Sequence, residues 1–256
     1  MPYSFTLSPA AVDLLLAELG LGRAPVPFVV PHIGITGDER AAVRDAVMRD
    51  LDGRGLLRRG SVDDDVEIAL ATFARPSIAV SAAAKLGDEQ LFARVASNGA
   101  NYAVLVVHRD GMFTFEEVRP TGIVPAIVDL LPLTPAAPGQ SVTVARPAKK
   151  PVRGDAYDPF AGVSGPRTHN PQLRAVERIF EKPRLAVGQF TVHIGDGRGH
   201  EQSLPSLAWF DTELGRYLLS TRDASDGQRW LTYAPADNAR LAQQLFTQLE
   251  GYSANA

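Results

Sequence analysis

The chain has 256 residues, no cysteine and a formal charge of −3, with 45% hydrophobic and 21% charged residues. That length holds one large domain or two small ones with a sizeable core, in the composition range of an ordinary soluble protein. The totals exclude disulfides, thiol catalysis and cysteine-based metal sites, and they give no whole-chain basic footprint for nucleic acid. No uncharged apolar run reaches bilayer length, and MPYSFTLSPA lacks the basic-then-apolar order of a signal peptide, so a cytoplasmic protein is expected.

Ser4–Leu7 alternates as a short strand. Ser8 and Pro9 then open a helix that carries Val12, Leu15, Leu16 and Leu19 and stops at Gly20. Three prolines make Arg23–Ile35 an extended connection. Thr36 and Glu39 form a capping box for a helix with Val43, Val47 and Leu51 on one side. Ser61 is expected to cap the next helix, with Asp63, Asp64 and Asp65 in its first turn and Val66, Leu70 and Phe73 inward. From Ser77 the period changes to alternation. Ile78–Ala84, Leu91–Ala96, Ala103–His108 and Met112–Val118 read as a meander, with turns at Gly87–Asp88 and Asp110–Gly111. Pro120 ends it, and Ile123–Leu131 forms a short helical stripe.

Residues 132–168 are rich in proline and glycine, carry Lys149 and Lys150, and offer one possible strand at Ser141–Val144. Little else there can offset ordering entropy by burial, so a mobile linker is expected. Asn170 and Pro171 start a helix with Leu173, Val176 and Phe180 inward, followed by a strand with Phe190, Val192 and Ile194 and the turn Gly195–Gly199. Leu207–Phe210, Tyr217–Ser220 and Trp230–Tyr233 complete a second meander. Pro235 is placed at the first position of a closing helix, Asp237 in its first turn, and Leu241, Leu245 and Leu249 along its apolar stripe, with Ala242 and Phe246 beside it. The two halves match in order. The reading is an α+β fold with two quasi-symmetric subdomains, 1–131 and 169–256, sharing a central sheet.

No catalytic constellation emerges. Asp63–Asp65 points three ways around a helix and does not converge on a cation. Gly195–Gly199 lacks phosphate-loop spacing and fits a hairpin turn. Asp211–Thr212 lacks the glycine and second copy of an aspartic protease, and the histidines show no zinc spacing. No serine sits in a nucleophile elbow. The expectation is a protein that is not an enzyme and uses no cofactor or metal. A winged-helix DNA binder is the competing reading for Thr36–Phe73, but its second helix opens with three aspartates that would repel phosphates.

Three pieces carry a resemblance: D-T-x-x-G-R-Y (Asp211–Tyr217), D-G-Q-x-W (Asp226–Trp230) and P-A-D (Pro235–Asp237). Together they resemble the C-terminal signature of the EspG family, the ESX secretion-associated proteins of actinobacterial type VII secretion. The resemblance implies a cytosolic chaperone that binds the helical tip of the PPE protein in a PE–PPE pair, keeping the pair soluble. It also implies that the tip is held by the central sheet, an N-terminal hairpin and the C-terminal helices. The matching hairpin is Lys85–Leu91, which contributes Lys85, Asp88, Gln90 and Leu91. The matching helix is Pro235–Leu249, on which Gln244 and Gln248 flank the leucine stripe with neutral side chains suited to a helix-in-groove contact.

Overall fold

The computed structural model describes residues 3–99, 101–147, 179, 181–223 and 228–253. Strand β1 (Ser4–Leu7) leads into α1 (Pro9–Glu18), where the Ser8 side chain accepts the Ala11 N–H and Pro9 occupies the first turn. Helix α2 (Gly37–Gly53) starts at Thr36 with both halves of the capping box formed. The next helix begins later than Ser61. Ser61–Val62 is a short strand, β3, paired with β2 (Leu57–Arg58) across a turn in which Arg59 and Gly60 have positive φ. Asp63 is therefore the cap of α3 (Asp64–Ala74) and accepts the Asp65 N–H. The tight hairpin consumes the serine that local pattern assigns to the helix.

Strands β4 (Ile78–Leu86), β5 (Glu89–Ser97), β6 (Ala103–Arg109) and β7 (Met112–Val118) form the first meander. Its β6–β7 turn has positive φ at both Asp110 and Gly111, which matches the twist of paired strands. A short 3-10 turn and helix α4 (Ile123–Val128) close this half. The second half has β8 (Val142–Pro147), β9 (Ala186–Gly195), β10 (Glu201–Ser203), β11 (Leu207–Thr212), β12 (Gly215–Asp223), β13 (Gln228–Pro235) and helix α5 (Asn238–Ser253). Pro235 ends β13, paired with Tyr217, and does not begin α5. Asp237 accepts the Arg240 N–H and acts as the helix cap instead.

These strands make one antiparallel sheet in the order β1-β7-β6-β5-β4-β9-β11-β12-β13-β8, with β10 paired on the end of β9. The two halves meet at β4 and β9, in register from Ile78↔Ile194 to Leu86↔Ala186. Each meander runs outward from that seam, each ends in a helix, and each has its outermost strand capped by an earlier one, β1 or β8. The result is an α+β fold with an approximate two-fold relation between halves. Helices α4 and α5 pack together on one face of the sheet, over Val80, Ala82, Leu91, Ala93, Phe190, Val192, Trp209 and Leu218. On the other face, α1–α3 cover the outer strands of the first half through Phe73, Val106, Phe113 and Phe115.

The stretch 132–147 is bound to the second half. Ala136 bridges Arg216, and a Cβ on Gly215 would lie 2.6 Å from the Pro135 carbonyl. The one strand expected at Ser141–Val144 is β8, pairing along β13. The rest of the 132–168 segment, and the helix expected from Asn170 apart from Ile179, lie outside the described residues. No helix of the described residues is long and apolar enough to cross a membrane.

An open strip on the sheet and where the expected residues fall

Strand alternation sends Ala83, Lys85, Gln90, Phe92, His108, Val187 and Gln189 to the face opposite α4 and α5. They form two cross-strand rows. One runs His108, Phe92, Ala83, Gln189, and the next Gln90, Lys85, Val187. All seven are half-buried or exposed. Helices α1–α3 stop short of them on one side, and the buried Ala208 and Phe210 bound them on the other. Phe92 packs at the edge of the N-terminal core and Val187 at the edge of the Ala208–Phe210 cluster, while Lys85 and Gln90 are exposed between them. The tip of the β4–β5 hairpin forms its rim, where Glu89, Gln90, Phe92, His108, Arg109 and Asp110 line a cleft of about 400 Å³. The His108 ring stands 4.5 Å from that of Phe113, which fixes the cleft wall.

Lys85 and Gln90 are direct cross-strand partners on this strip, and Asp88 is exposed at the hairpin tip. Leu91 differs. It is 2% exposed and lies on the other face, in the core beneath α4, so it is a packing residue and cannot be an exposed contact. Alternation decides this, because Gln90 and Leu91 must point to opposite faces. Gln244 is half-buried on α5. Gln248 donates to the Pro205 carbonyl at 3.0 Å and tethers α5 to the β10–β11 connection. The sheet thus separates the hairpin residues from the two glutamines. Phe246 is the exposed apolar side chain of α5, at 40%, while Leu241 and Leu245 are fully buried.

The α5 entry point is set by the D-T-x-x-G-R-Y stretch. Arg216, 0% exposed, donates from Nε and Nη2 to Asp211 at 2.6 and 2.9 Å. It also bonds Asn238 at the start of α5, the Pro132 carbonyl and Thr134 Oγ1, and lies 4.7 Å from the centre of the Trp209 ring. Asp211 accepts from Thr134 as well. This one arginine therefore fastens the sheet, the 132–137 stretch and the last helix to each other, which explains a motif with aspartate and arginine five residues apart.

A second polar cluster has no sequence signal. Arg94 on β5 pairs with Glu201 on β10 and also reaches Ser81 and the Val26 carbonyl. His193 on β9 lies beside them, its Nδ1 3.0 Å from Ser203 Oγ. Burial and the Arg94 charge hold the His193 pKa down at about 4, so its ring is neutral near pH 7. No three His, Asp or Glu side chains converge as metal ligands among the described residues. Asp196 accepts the N–H groups of Arg198 and His200, so the glycine-rich stretch is a closed β9–β10 turn. In the region weighed as a winged helix, Val66, Leu70 and Phe73 of α3 are packed on the sheet and its exposed start is acidic.

No curated protein matches the sequence. Among solved structures, the chain is similar in fold to the Mycobacterium tuberculosis type VII secretion system chaperone EspG5 in complex with a PE25-PPE41 dimer. The TM-score is 0.61 at 16% identity, covering 94% of this chain and 93% of that one. The EspG family model matches residues 8–246, nearly the whole chain. The chain belongs to the EspG family.

Proposed function

We propose that this protein is a cytosolic, non-catalytic chaperone that holds the helical tip of a PE–PPE pair and keeps the pair soluble for type VII secretion. Family membership and the fold of a chaperone captured with such a dimer support it. The observation that carries it is the open strip at the β4–β9 seam. A sheet normally has both faces covered, and here, among the described residues, a row of aromatic, aliphatic and neutral amide side chains is only partly covered. An incoming helical tip completes the cover, burying its own apolar residues against Phe92, Ala83 and Val187. Gln90, Gln189 and Lys85 satisfy its polar groups at little desolvation cost compared with carboxylates.

In this reading residues 1–131 and 169–256 are the two subdomains, joined by 132–168, whose strand β8 completes the sheet of the second. Lys85, Asp88 and Gln90 contact the partner. Gln244, with the exposed Phe246, marks a second surface on α5, across the sheet. The test is co-expression with a PE–PPE pair encoded beside this protein's gene. The expected outcome is a stoichiometric complex on gel filtration and a pair that precipitates without the chaperone. A pair that is soluble alone and does not co-migrate would overturn the proposal.

A further inference from the structure

A second cleft, of about 520 Å³, lies between the α1–α3 layer and the β9–β10 hairpin. Arg23 and its neighbours in the loop after α1, with Arg75 at the end of α3, form one wall. Arg198, Glu201 and Ser203 form the other, and His193 lines the cleft between them. Three arginines thus meet one carboxylate, and the buried Arg94 already neutralises that carboxylate. The cleft is electropositive.

Its inner surface is also unsatisfied. His193 is 2% exposed, yet its Nε2 has no hydrogen-bond partner. The Nε of Arg94, whose charge acts on the same histidine, is unpaired too. Buried polar atoms are nearly always paired, so the orphan on His193, which lines the cleft, points to a group that belongs there. When the Ser203 hydroxyl donates to Nδ1, the neutral ring carries its proton on Nε2, an unsatisfied donor on a residue that lines the cleft. Asp196 already holds the backbone amides of Arg198 and His200 in the β9–β10 turn. The arginine and histidine side chains are the cationic and directional groups left to recognise a ligand.

We infer that this cleft binds a small ligand through a phosphate or carboxylate group, held by the Arg23, Arg75 and Arg198 guanidiniums and by the Nε2–H of His193. Guanidinium forks match the paired oxygens of both groups, and a desolvated histidine donor adds a fixed direction. Such a ligand bridges the N-terminal helical layer and the second half.

The experiment follows the His193 Nε2 nitrogen resonance by NMR, assigned with the His193→Gln variant, at low ionic strength. Inorganic phosphate, phenyl phosphate, citrate and chloride are titrated separately. A saturable shift with at least one of the three oxyanions, absent with chloride, is expected. Tighter binding of phenyl phosphate than phosphate identifies an organic phosphate ligand; equal binding identifies the free ion; preference for citrate identifies a carboxylate. In Arg23→Ser/Arg198→Ser, both exposed positions, affinity should fall at least about tenfold while the melting temperature without anion is unchanged. No saturable shift with any oxyanion, an equal shift with chloride, or unaltered affinity in the double variant would overturn the inference.

Discussion

Arg94 and Arg216 are both fully buried arginines on the same sheet, each paired with one acid, and they sit on opposite faces of it. Arg216 is saturated: a bidentate aspartate, an asparagine, a carbonyl, a hydroxyl and an indole face surround it. Arg94 is incomplete. Its Nε is unpaired, its carboxylate partner is partly exposed, and a neutral histidine stands next to it. A closed network fixes the position of an element, in this case α5. An open one leaves polar capacity unused beside His193, which lines a cleft. The difference separates structural from binding roles where burial and charge look alike.

Removing each arginine sharpens the contrast. Arg216→Met strands Asp211, 5% exposed, without its counter-charge and frees the start of α5, so stability should fall by about 3–5 kcal/mol in denaturant unfolding. Arg94→Met leaves Glu201 close enough to water to rehydrate, and the loss should be about 1–2 kcal/mol. Equal losses for the two variants would break the comparison. The smallest effect is one of pH. The folded pKa of His193, about 4, lies below its ordinary 6.5, so its neutral form is favoured by folding. Its contribution is fully present above pH 6.5 and is lost as pH falls toward 4. His193→Gln should flatten that part of the melting-temperature profile, and an unchanged slope would show that the ring is not held neutral.

Leu91→Asp gives a separate control on the hairpin. It buries a charge under α4 and should cost about 4 kcal/mol or more, whereas Gln90→Ala, one residue away on the open face, should move stability by less than about 0.5 kcal/mol. Similar losses at both positions would contradict the assigned strand register.

Much of the fold is legible because its signals are local. The capping box at Thr36, the Asp110–Gly111 turn and both meanders need only neighbouring residues, and Asp211 with Arg216 sits within a single hairpin. Where pairing partners come from afar, pattern fails. Ser61 and Pro235 have the chemistry of helix starts, yet both are drawn into strands, and aspartates two residues further on take over as caps. Arg94 and Glu201 are 107 residues apart, so nothing in the sequence joins them. The open strip was half visible. The hairpin places Lys85 and Gln90, but Phe92, His108 and Gln189 carry no mark in the sequence, since they are half-buried where α1–α3 end among the described residues.

Hydrogen–deuterium exchange on the purified protein, free and bound to the proposed PE–PPE partner, tests the central claim most directly. The open strip and its hairpin predict new protection over 83–92 in β4–β5 and 187–191 in β9, with little change at the β10–β11 connection where Gln248 is already bonded. Protection confined to the outer surface of α5, with the β4–β9 seam exchanging as in the free protein, would contradict it.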